Sequence, residues 1–474
     1  MGNVATKKMT SDDAFDERDS KILSPELLGA VIDVTKHHES EVSSVASDET
    51  ESLVSAITDP NAVDSQLVKN PSSTGVDLRC KSWDPTKFYS DYIQDGLRYQ
   101  GKKSDNVIML YESPSSSSTD TSFFNNQTFP VHDYPSFPTP YKTVLAPLRY
   151  SIMNGATYPS YLAGCTPPKG LMEHWERRVP NFARPEFVEE LADDATVYAY
   201  LPLENIKQHL NDPYVHYHIA GKDIIHLMTK RTAKLLPNTK DFRPCIAKVT
   251  HSMSSKGIFM IRNDEDELEF QTYLSESGNP NFVVTDLIDI HRNVSCHFFI
   301  HPNGEIVWFG SSENYKDENG DWSMDSIILL DEQDELRDLQ LPYAREVVDY
   351  CLSLGFWGFC GIDVLFDAAG EGFVVDVNPR TTGTSPALML AQLFDQEYGY
   401  RAGLMRRSSS YAFPGTAAEL LEQVEAFNES WQGRVVLLSF YECAPNKTWL
   451  NIAVHGETLD YCREVLDRFA QPSD

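Results

Sequence analysis

The chain has 474 residues, of which 41% are hydrophobic and 23% are charged. This composition is typical of a globular protein and excludes a disordered or fibrous chain. The length predicts two or three domains, or one domain built from several lobes. The formal net charge of −30 at pH 7 argues against sequence-independent nucleic-acid binding, which needs a basic surface. The sequence also lacks a run of about 18 apolar residues and an apolar N-terminal segment. It therefore predicts no transmembrane helix, no secretory signal and a cytoplasmic location.

The first 75 residues are rich in Ser, Thr, Asp and Glu and contain only short apolar pieces. We predict that they form an acidic, poorly ordered region. Met1, Gly2 and Thr6 match the pattern for N-myristoylation, although so short a pattern also occurs by chance. A single myristoyl chain would give only weak membrane contact.

Strand-like and helical segments alternate through the rest of the chain. A helical "TKFYSDYIQDG" precedes the strand-like "NVIMLYE", and a Ser-rich loop follows. Beyond Pro180, strand-like runs such as "TVYAYLPL", "PCIAKVT" and "NFVVTDLI" alternate with the helical "FVEEL", "KDIIHLMTKRTAKLL" and "YAREVVDYCLSLG". Two strands, "RVVLLSFYE" and "TWLNIAV", and a helix, "TLDYCREVLDRFA", end the sequence. This alternation predicts an α+β or α/β body.

Two short motifs are rejected because of their context. "GLRYQGKKS", which begins at Gly96, is close to a phosphate-binding P-loop, but it follows a predicted helix and precedes a predicted strand. A P-loop requires the opposite order. His297 and His301 have the spacing of metal ligands on a helix, whereas their segment is predicted to be a strand. Ordinary strand histidines are therefore favoured.

Lys248 lies at the end of an apolar run and precedes the small-residue loop "HSMSSKG" and a second apolar run. Backbone amides and hydroxyl groups of such a loop can surround phosphate oxygens, while the lysine supplies positive charge. Many ordinary hairpins also contain a lysine and serines. The pattern is therefore a candidate phosphate cover.

The segment "GIDVLFDAAGEGFVVDVNPRTTGTSP" carries Asp363 and Asp376 on two apolar runs, with Asn378 directly after the second run. A hairpin through "DAAGEG" would bring the three side chains to one side. Hard oxygen ligands on neighbouring strands suit Mg²⁺, which keeps several waters and shares phosphate oxygens. The alternative is structural, with both aspartates paired to lysine or arginine.

Taken in this order, these features resemble the ATP-grasp superfamily, most strongly in the segment that contains Asp363 and Asp376. The resemblance covers roughly residues 198–393. It implies an α+β ATP-grasp fold in which two α+β lobes clamp ATP, preceded by an α/β N-terminal lobe. It also implies four regions: an acidic region over 1–75, an N-terminal lobe over 76–205, an ATP-grasp domain over 206–400 and a C-terminal α+β extension over 401–474. A weaker likeness is to fungal ATP-grasp proteins of secondary metabolism.

The resemblance assigns roles to individual residues. Asp363, Asp376 and Asn378 would bind Mg²⁺, with Mn²⁺ as an alternative, and Asp376 stands where the family usually has Glu. ATP would contact three groups of residues. The first is a phosphate lysine, for which Lys222 is chosen and Lys230 is the rival. The second is Lys248 with Ser254, Ser255 and Gly257, and the third is the hinge formed by Asp286, Leu287 and Ile288. Arg292 or Asn293 replaces the usual ribose-binding Glu. Arg380, as the catalytic residue, would hold the substrate together with Thr384 and Ser385.

The resemblance implies an ATP-dependent ligase that joins a small-molecule carboxylate to an amine through an acyl phosphate, releasing ADP and phosphate. Two alternatives stay open from the sequence. One is another ATP-grasp reaction, either phosphotransfer or thioester formation. The other is a nucleotide-binding partner protein without turnover.

Overall fold

The computed structural model describes residues 79–114, 126–132, 138–164, 166–253, 257–314, 325–431 and 434–472. The predicted acidic region 1–75, with Gly2, lies outside these residues, as do Ser254 and Ser255 of the predicted phosphate loop. None of the helices in the described ranges combines the length and the apolar composition that a membrane crossing requires.

Strands and helices alternate along the described chain. The strands are β1 (Cys80–Ser82), β2 (Val107–Leu110), β3 (Ser160–Tyr161), β4 (Phe187–Val188), β5 (Thr196–Ala199), β6 (Leu235–Leu236), β7 (Cys245–Val249), β8 (Ile258–Ile261), β9 (Phe282–Asp286), β10 (Arg292–Ile300), β11 (Ile306–Asn314), β12 (Ser326–Leu329), β13 (Gly358–Phe366), β14 (Gly372–Asn378), β15 (Ala402–Phe413), β16 (Val435–Ala444), β17 (Lys447–Gly456) and β18 (Gln471–Pro472). The α-helices are α1 (Tyr89–Tyr99), α2 (Ala146–Ser151), α3 (Leu171–Arg178), α4 (Pro213–Ile219), α5 (Ile225–Met228), α6 (Asp264–Glu276), α7 (Gln333–Ser353), α8 (Ser385–Tyr398), α9 (Ala417–Trp431) and α10 (Leu459–Phe469).

The N-terminal part contains a parallel sheet with the strand order β4-β3-β2-β5. In β2, Val107 and Met109 pack into one hydrophobic cluster, whereas Ile108 and Leu110 pack into another. Because successive side chains point to opposite faces, both faces of this strand are buried, as is usual for a parallel sheet. This sheet agrees with the predicted α/β N-terminal lobe, whose extent over 76–205 stays a prediction.

A small antiparallel sheet, in the order β6-β9-β7-β8, follows in the chain. In β7, Cys245, Ala247 and Val249 share a buried cluster with Phe270 of α6. The alternation of side chains places Lys248 on the opposite face of the strand, away from this helix. The residues that pack the sheet thus direct the lysine to its other side.

The largest sheet has ten strands, and its main path runs β14-β13-β10-β11-β12-β15-β17-β16. In β13, Cys360, Ile362 and Val364 belong to a buried cluster that also contains residues of α7. Asp363 therefore lies on the face that points away from this cluster. The strands of the C-terminal residues continue the same sheet. The division into domains at 205 and 400 stays a prediction.

Two predicted helices are wrong. "FVEEL" instead contains β4, because its backbone pairs in parallel with β3. "KDIIHLMTKRTAKLL" forms only a short 3₁₀ turn (Lys222–Ile224) and α5, which ends at Met228. Thr229 is extended, and its hydroxyl accepts a hydrogen bond from the Arg231 amide at 3.0 Å. Such a local side-chain bond competes with the helix, and the chain leaves it to form β6.

Candidate active site

We call β13, β14 and their turn the acidic hairpin. The antiparallel register sets Asp363 directly opposite Asp376, with Asn378 at the end of β14. Ser295 donates its hydroxyl to Asp363 Oδ1 at 2.6 Å, and Asn378 Nδ2 donates to Asp376 Oδ2 at 3.3 Å. Burial raises the pKa of Asp363 to about 6, and the like charge of Asp376 is the second cause. Two facing carboxylates repel each other, so nearby positive charge is needed to stabilise this site.

Two lysines supply part of this positive charge. Lys222 Nζ forms an ion pair with Asp376 Oδ1 at 3.2 Å and donates to the Ser252 carbonyl oxygen at 3.1 Å. Lys248 Nζ donates to the carbonyl oxygen of Val375 at 3.3 Å. Burial lowers the pKa of Lys248 to about 8, although the charge of Asp376 opposes this shift. The rival residue Lys230 is exposed and lies on the segment that follows α5.

The loop after Lys248 has one position that requires glycine. Gly257 has φ +75°, and a Cβ atom there would lie 2.9 Å from Val249 Cβ. Its carbonyl oxygen accepts a hydrogen bond from the Val249 amide at 2.8 Å, which closes the loop at the start of β8. His251, at the start of the loop, stacks on Tyr217 with ring centroids 3.8 Å apart. Both ends of the predicted phosphate loop are therefore fixed next to Lys222 and Lys248.

The predicted hinge connects the small sheet to the large one. Asp286 is the last residue of β9, and its amide donates to the Lys234 carbonyl oxygen at 3.0 Å. Leu287 and Ile288 follow outside any strand, and neither amide donates to a backbone carbonyl of the described residues. These amides thus keep a donor that a ligand such as an adenine ring could use, and the adenine contact stays a prediction.

Arg292, one candidate for the ribose contact, forms ion pairs with two glutamates. Its guanidinium pairs with Glu313 at 3.0 Å and with Glu332 at 3.3 Å. Asn293 follows it in β10, where it pairs with β11 and β13. The ribose contact stays a prediction, and the two glutamates beside Arg292 were not anticipated from the sequence.

Arg380 lies directly after the acidic hairpin. Its Nη1 donates to Asn378 Oδ1, and its guanidinium carbon lies 4.9 Å from the centre of the Tyr200 ring. Its Nε is buried and has no hydrogen-bond partner among the described residues. Thr384 precedes α8 and Ser385 begins it, so both lie at the positive end of a helix dipole. Arg380 thus has an unused hydrogen-bond donor and lies near the start of a helix.

A small cavity of about 20 Å³ brings several predicted residues together. Lys222, Asp376, Asn378 and Arg380 line it, together with Ser252 from the loop. The lining does not include the other predicted site residues of the described chain: Asp363, Lys248, Gly257, the hinge, Thr384 and Ser385. The cavity therefore joins the predicted phosphate, metal and substrate residues, while the hinge lies apart from it.

The residues of the acidic hairpin fit a divalent cation by their chemistry. Asp363 and Asp376 offer carboxylate oxygens, and Asn378 offers an amide oxygen, which are the ligands that Mg²⁺ prefers. Within the described residues, no group of three or more His, Cys, Asp and Glu side chains could hold a metal ion. A pair of carboxylates with one amide leaves room for the waters and phosphate oxygens that Mg²⁺ retains.

Residues 228–378 match a family model described as L-aspartate--L-methionine ligase, ATP grasp. The matched segment contains Lys248, the hinge and the acidic hairpin. Over these residues the chain is thus similar to the ATP-grasp superfamily. The predicted resemblance and the predicted α+β fold class are thereby confirmed.

Several solved structures are similar to this chain at low sequence identity. N5-carboxyaminoimidazole synthetase from Staphylococcus aureus, complexed with ADP, is 12% identical, with a TM-score of 0.45 and coverage of 81% of this chain and 99% of that chain. Carboxyaminoimidazole ribonucleotide synthase from Aspergillus clavatus, complexed with ATP, is 10% identical, with a TM-score of 0.45 and coverage of 76% and 96%. Biotin carboxylase from Campylobacter jejuni is 11% identical, with a TM-score of 0.39 and coverage of 56% and 70%. With TM-scores this low, these structures indicate no substrate. No curated protein matches the sequence.

Two arginines near the site were not predicted from the sequence: Arg149, which is buried, and Arg407, which is half-buried. Arg149 comes from α2, and Arg407 comes from β15. The available signal was weak: each arginine interrupts an otherwise apolar run, in "APLRYSIM" and in "GLMRRSSSYAF". Tyr150 and Tyr200, which link these arginines to Arg380, were missed as well.

Proposed function

We propose that the protein is an ATP-dependent ligase that joins a carboxylate to an amine and releases ADP and phosphate. One observation carries the proposal: Lys222, Asp376, Asn378 and Arg380 line a single cavity beside the phosphate loop. The cavity thus places three kinds of group side by side: a cation for phosphate groups, oxygen ligands for a metal, and an arginine for a carboxylate. This is the set of groups that phosphoryl transfer to a carboxylate requires.

The first step would transfer the γ-phosphoryl group. An oxygen of the substrate carboxylate attacks the γ-phosphorus, and the bond from this phosphorus to the oxygen bridging it to the β-phosphorus breaks. The electron pair of that bond leaves with ADP, and an acyl phosphate is formed. Lys222 and Lys248 would neutralise the phosphate oxygens during this step. Mg²⁺ held by Asp363, Asp376 and Asn378 would supply further neutralisation of phosphate charge.

The second step would form the amide bond. The amine attacks the carbonyl carbon of the acyl phosphate, the carbon–oxygen bond to phosphate breaks, and the amine loses a proton. Arg380 would hold the oxygen on which negative charge develops, because its Nε is buried without a partner in the described structure. Closure of the loop from Ser252 to Gly257 would exclude water, which would otherwise hydrolyse the acyl phosphate.

The family description suggests which substrates to test first. It names aspartate and methionine, so amino acids are the proposed class for both the carboxylate and the amine. Such substrates and ATP are small molecules of the cytoplasm, which is where we propose that the reaction takes place.

The proposal is tested by measuring ADP release from the purified full-length protein with Mg²⁺, ATP and amino acids, supplied singly and in pairs. Product masses are determined in parallel. We expect ADP release to require a carboxylate and an amine together, with a product lighter by one water than the sum of the two substrates. ADP release with a carboxylate alone, without such a product, would instead indicate phosphotransfer.

A matched pair of variants tests the site itself. Asp376→Ala removes the carboxylate that Lys222 contacts, and we expect ADP release to fall at least about 100-fold with an unchanged circular dichroism spectrum. Glu371→Gln changes an exposed acid in the turn of the same hairpin and should retain full activity. Undiminished ADP release by Asp376→Ala would disprove the assignment of this residue.

A further inference from the structure

Arg149 and Arg407 come from distant parts of the sequence and meet beside Asn451. Arg149 Nη1 donates to Asn451 Oδ1 at 3.4 Å, and Arg407 is the direct cross-strand partner of Asn451 between β15 and β17. Burial lowers the pKa of the Arg407 guanidinium, and the like charge of Arg149 lowers it further. The two guanidinium groups are therefore close enough to repel each other.

A chain of tyrosines links these two arginines to Arg380. Arg149 Nη2 donates to the Tyr150 hydroxyl at 2.9 Å, and the Tyr150 and Tyr200 hydroxyl groups lie 3.3 Å apart. The Tyr200 ring in turn faces the Arg380 guanidinium. Arg149 and Arg407 thus form a group next to the arginine that we assign to the reacting carboxylate.

Neither arginine has an anionic partner in the part of the chain that the structure describes. No carboxylate there forms an ion pair with Arg149 or Arg407. Arg149 is only 4% exposed, and its buried Nε has no hydrogen-bond partner. The adjacent Arg406 shows the contrasting case, since it pairs with Asp325 at 2.7 Å. A buried cation such as Arg149 is costly without a counter-charge, and the half-buried Arg407 beside it adds to that cost.

The surroundings of Arg407 also favour a negatively charged ligand electrostatically. Arg407 Nη1 donates to Thr384 Oγ1 at 3.4 Å, at the start of α8, where the helix dipole favours anions. Gly383 passes so close that a Cβ atom there would overlap Arg407 Nη1. Glycine at this position therefore allows the guanidinium to lie against the loop that carries Thr384.

We propose that Arg149 and Arg407 form a second anion subsite, which binds an additional carboxylate or phosphate group on the molecule whose carboxylate is activated. The inference rests on the proposed ligase function and narrows its substrate to a molecule with two anionic groups. Arg380 acts on the reacting carboxylate, and the second subsite fixes the other end of the same molecule. A neutral isostere would leave the two arginines unpaired and would bind more weakly.

The test compares charged probes with their neutral counterparts. Full-length protein loaded with Mg²⁺ and a non-hydrolysable ATP analogue is titrated calorimetrically with L-aspartate against L-asparagine, L-glutamate against L-glutamine, and O-phospho-L-serine against L-serine. We expect at least one charged probe to bind about tenfold or more tightly than its partner, because charge-assisted hydrogen bonds to arginine are lost in the neutral molecule. Aspartate or glutamate as that probe would identify a carboxylate, and phosphoserine would identify a phosphate group.

Variants decide whether the arginines cause this preference. Arg407→Gln and Arg149→Gln should each reduce the preference to less than about threefold, whereas Arg407→Lys, which keeps the charge, should retain part of it. Arg463→Gln, in an exposed pair with Asp460, is the matched control and should keep it in full. Affinity for the ATP analogue should be unchanged in all four variants, which also verifies that each is folded.

The outcomes separate this inference from the ligase proposal. Equal binding of every charged and neutral pair would overturn the second subsite, as would a preference that survives both Arg407→Gln and Arg149→Gln. Either result leaves ADP release and amide formation to be judged by their own assay. Conversely, a preference that Arg407→Gln removes, in a protein that never releases ADP, would support the subsite and refute the ligase.

Discussion

At the scale of single residues, the site is organised by charges that the fold partly buries. Asp363 and Asp376 face each other across the acidic hairpin, and Lys222 contacts only one of them. The remaining carboxylate, Asp363, is held by the Ser295 hydroxyl, and its pKa is raised. This imbalance is what a site that receives a divalent cation together with an anionic nucleotide requires.

The sequence was informative for some of these residues and silent for others. Asp363 and Asp376 could be predicted to lie together because they interrupt two adjacent apolar runs joined by a short turn. Arg149 could not be placed, since its contact with Asn451 joins residues 302 positions apart. Local patterns specify hairpin partners, whereas a contact over such a distance depends on how two lobes pack.

Glu112 gives a prediction about pH at this scale. It is 1% exposed at the end of β2, and burial raises its pKa to about 8. The folded protein therefore keeps this proton between about pH 4.5 and pH 8, whereas the unfolded chain releases it. Through this residue, the free energy of unfolding should fall as pH rises across that interval, by at most about 1.4 kcal/mol per pH unit.

Glu112→Gln removes this titration. We expect the variant to gain stability relative to the wild type as pH is raised from 5 to 7, as measured by urea denaturation at each pH. The quantity to compare is the change with pH of the stability difference between variant and wild type. Any effect of glutamine on packing is the same at every pH and does not alter this slope. Glu190→Gln, which alters an exposed acid in the same lobe, is the control and should show no slope. A parallel pH dependence of wild type and Glu112→Gln would contradict the prediction.

At the scale of elements, the alternation of side chains along a strand was the pattern that best predicted which way the site residues point. It fixed the faces of β7 and β13 and hence the directions of Lys248 and Asp363. It failed where tertiary pairing competes with helix formation, as in the segment after Met228. There the Val374 amide donates to the Arg231 carbonyl oxygen at 2.8 Å, which ties that segment to β14 instead. Such a partner cannot be recognised from a local pattern.

The loop between β7 and β8 gives a prediction at this scale. Gly257→Ala would combine a positive φ with a Cβ atom 2.9 Å from Val249 Cβ, so the loop must shift. We expect a loss of about 1–3 kcal/mol in stability and a weaker affinity for ATP, because this loop is the proposed phosphate cover. Thermal unfolding and nucleotide titration measure the two effects.

Gly278→Ala is the matched control for Gly257→Ala. Gly278 also has a positive φ, +84°, but a Cβ atom there would meet nothing within 4 Å. This variant pays the conformational cost alone and should bind ATP normally. If both variants bound ATP as the wild type does, Gly257 would have no role in the phosphate loop.

At the scale of the whole molecule, the proposed nucleotide contacts are divided between two sheets. Lys248 comes from the small antiparallel sheet, and the acidic hairpin comes from the ten-stranded sheet, with the hinge as the covalent connection between them. Lys248 of the small sheet also donates a hydrogen bond to the Val375 carbonyl oxygen of the large sheet. A ligand that bridges them should therefore stabilise the folded protein as a unit.

This linkage can be measured by thermal unfolding with a non-hydrolysable ATP analogue. At about 100 times its dissociation constant, a ligand that binds only the folded state adds about 2.7 kcal/mol. We expect a raised unfolding midpoint with Mg²⁺ and the analogue together, and most of this rise should disappear when EDTA removes the metal. Asp363→Asn should lose the Mg²⁺-dependent part, because a neutral amide replaces one of the two facing carboxylates, while Glu371→Gln should keep it. A rise of equal size with Mg²⁺ and with EDTA would show that the acidic hairpin does not couple a metal to nucleotide binding.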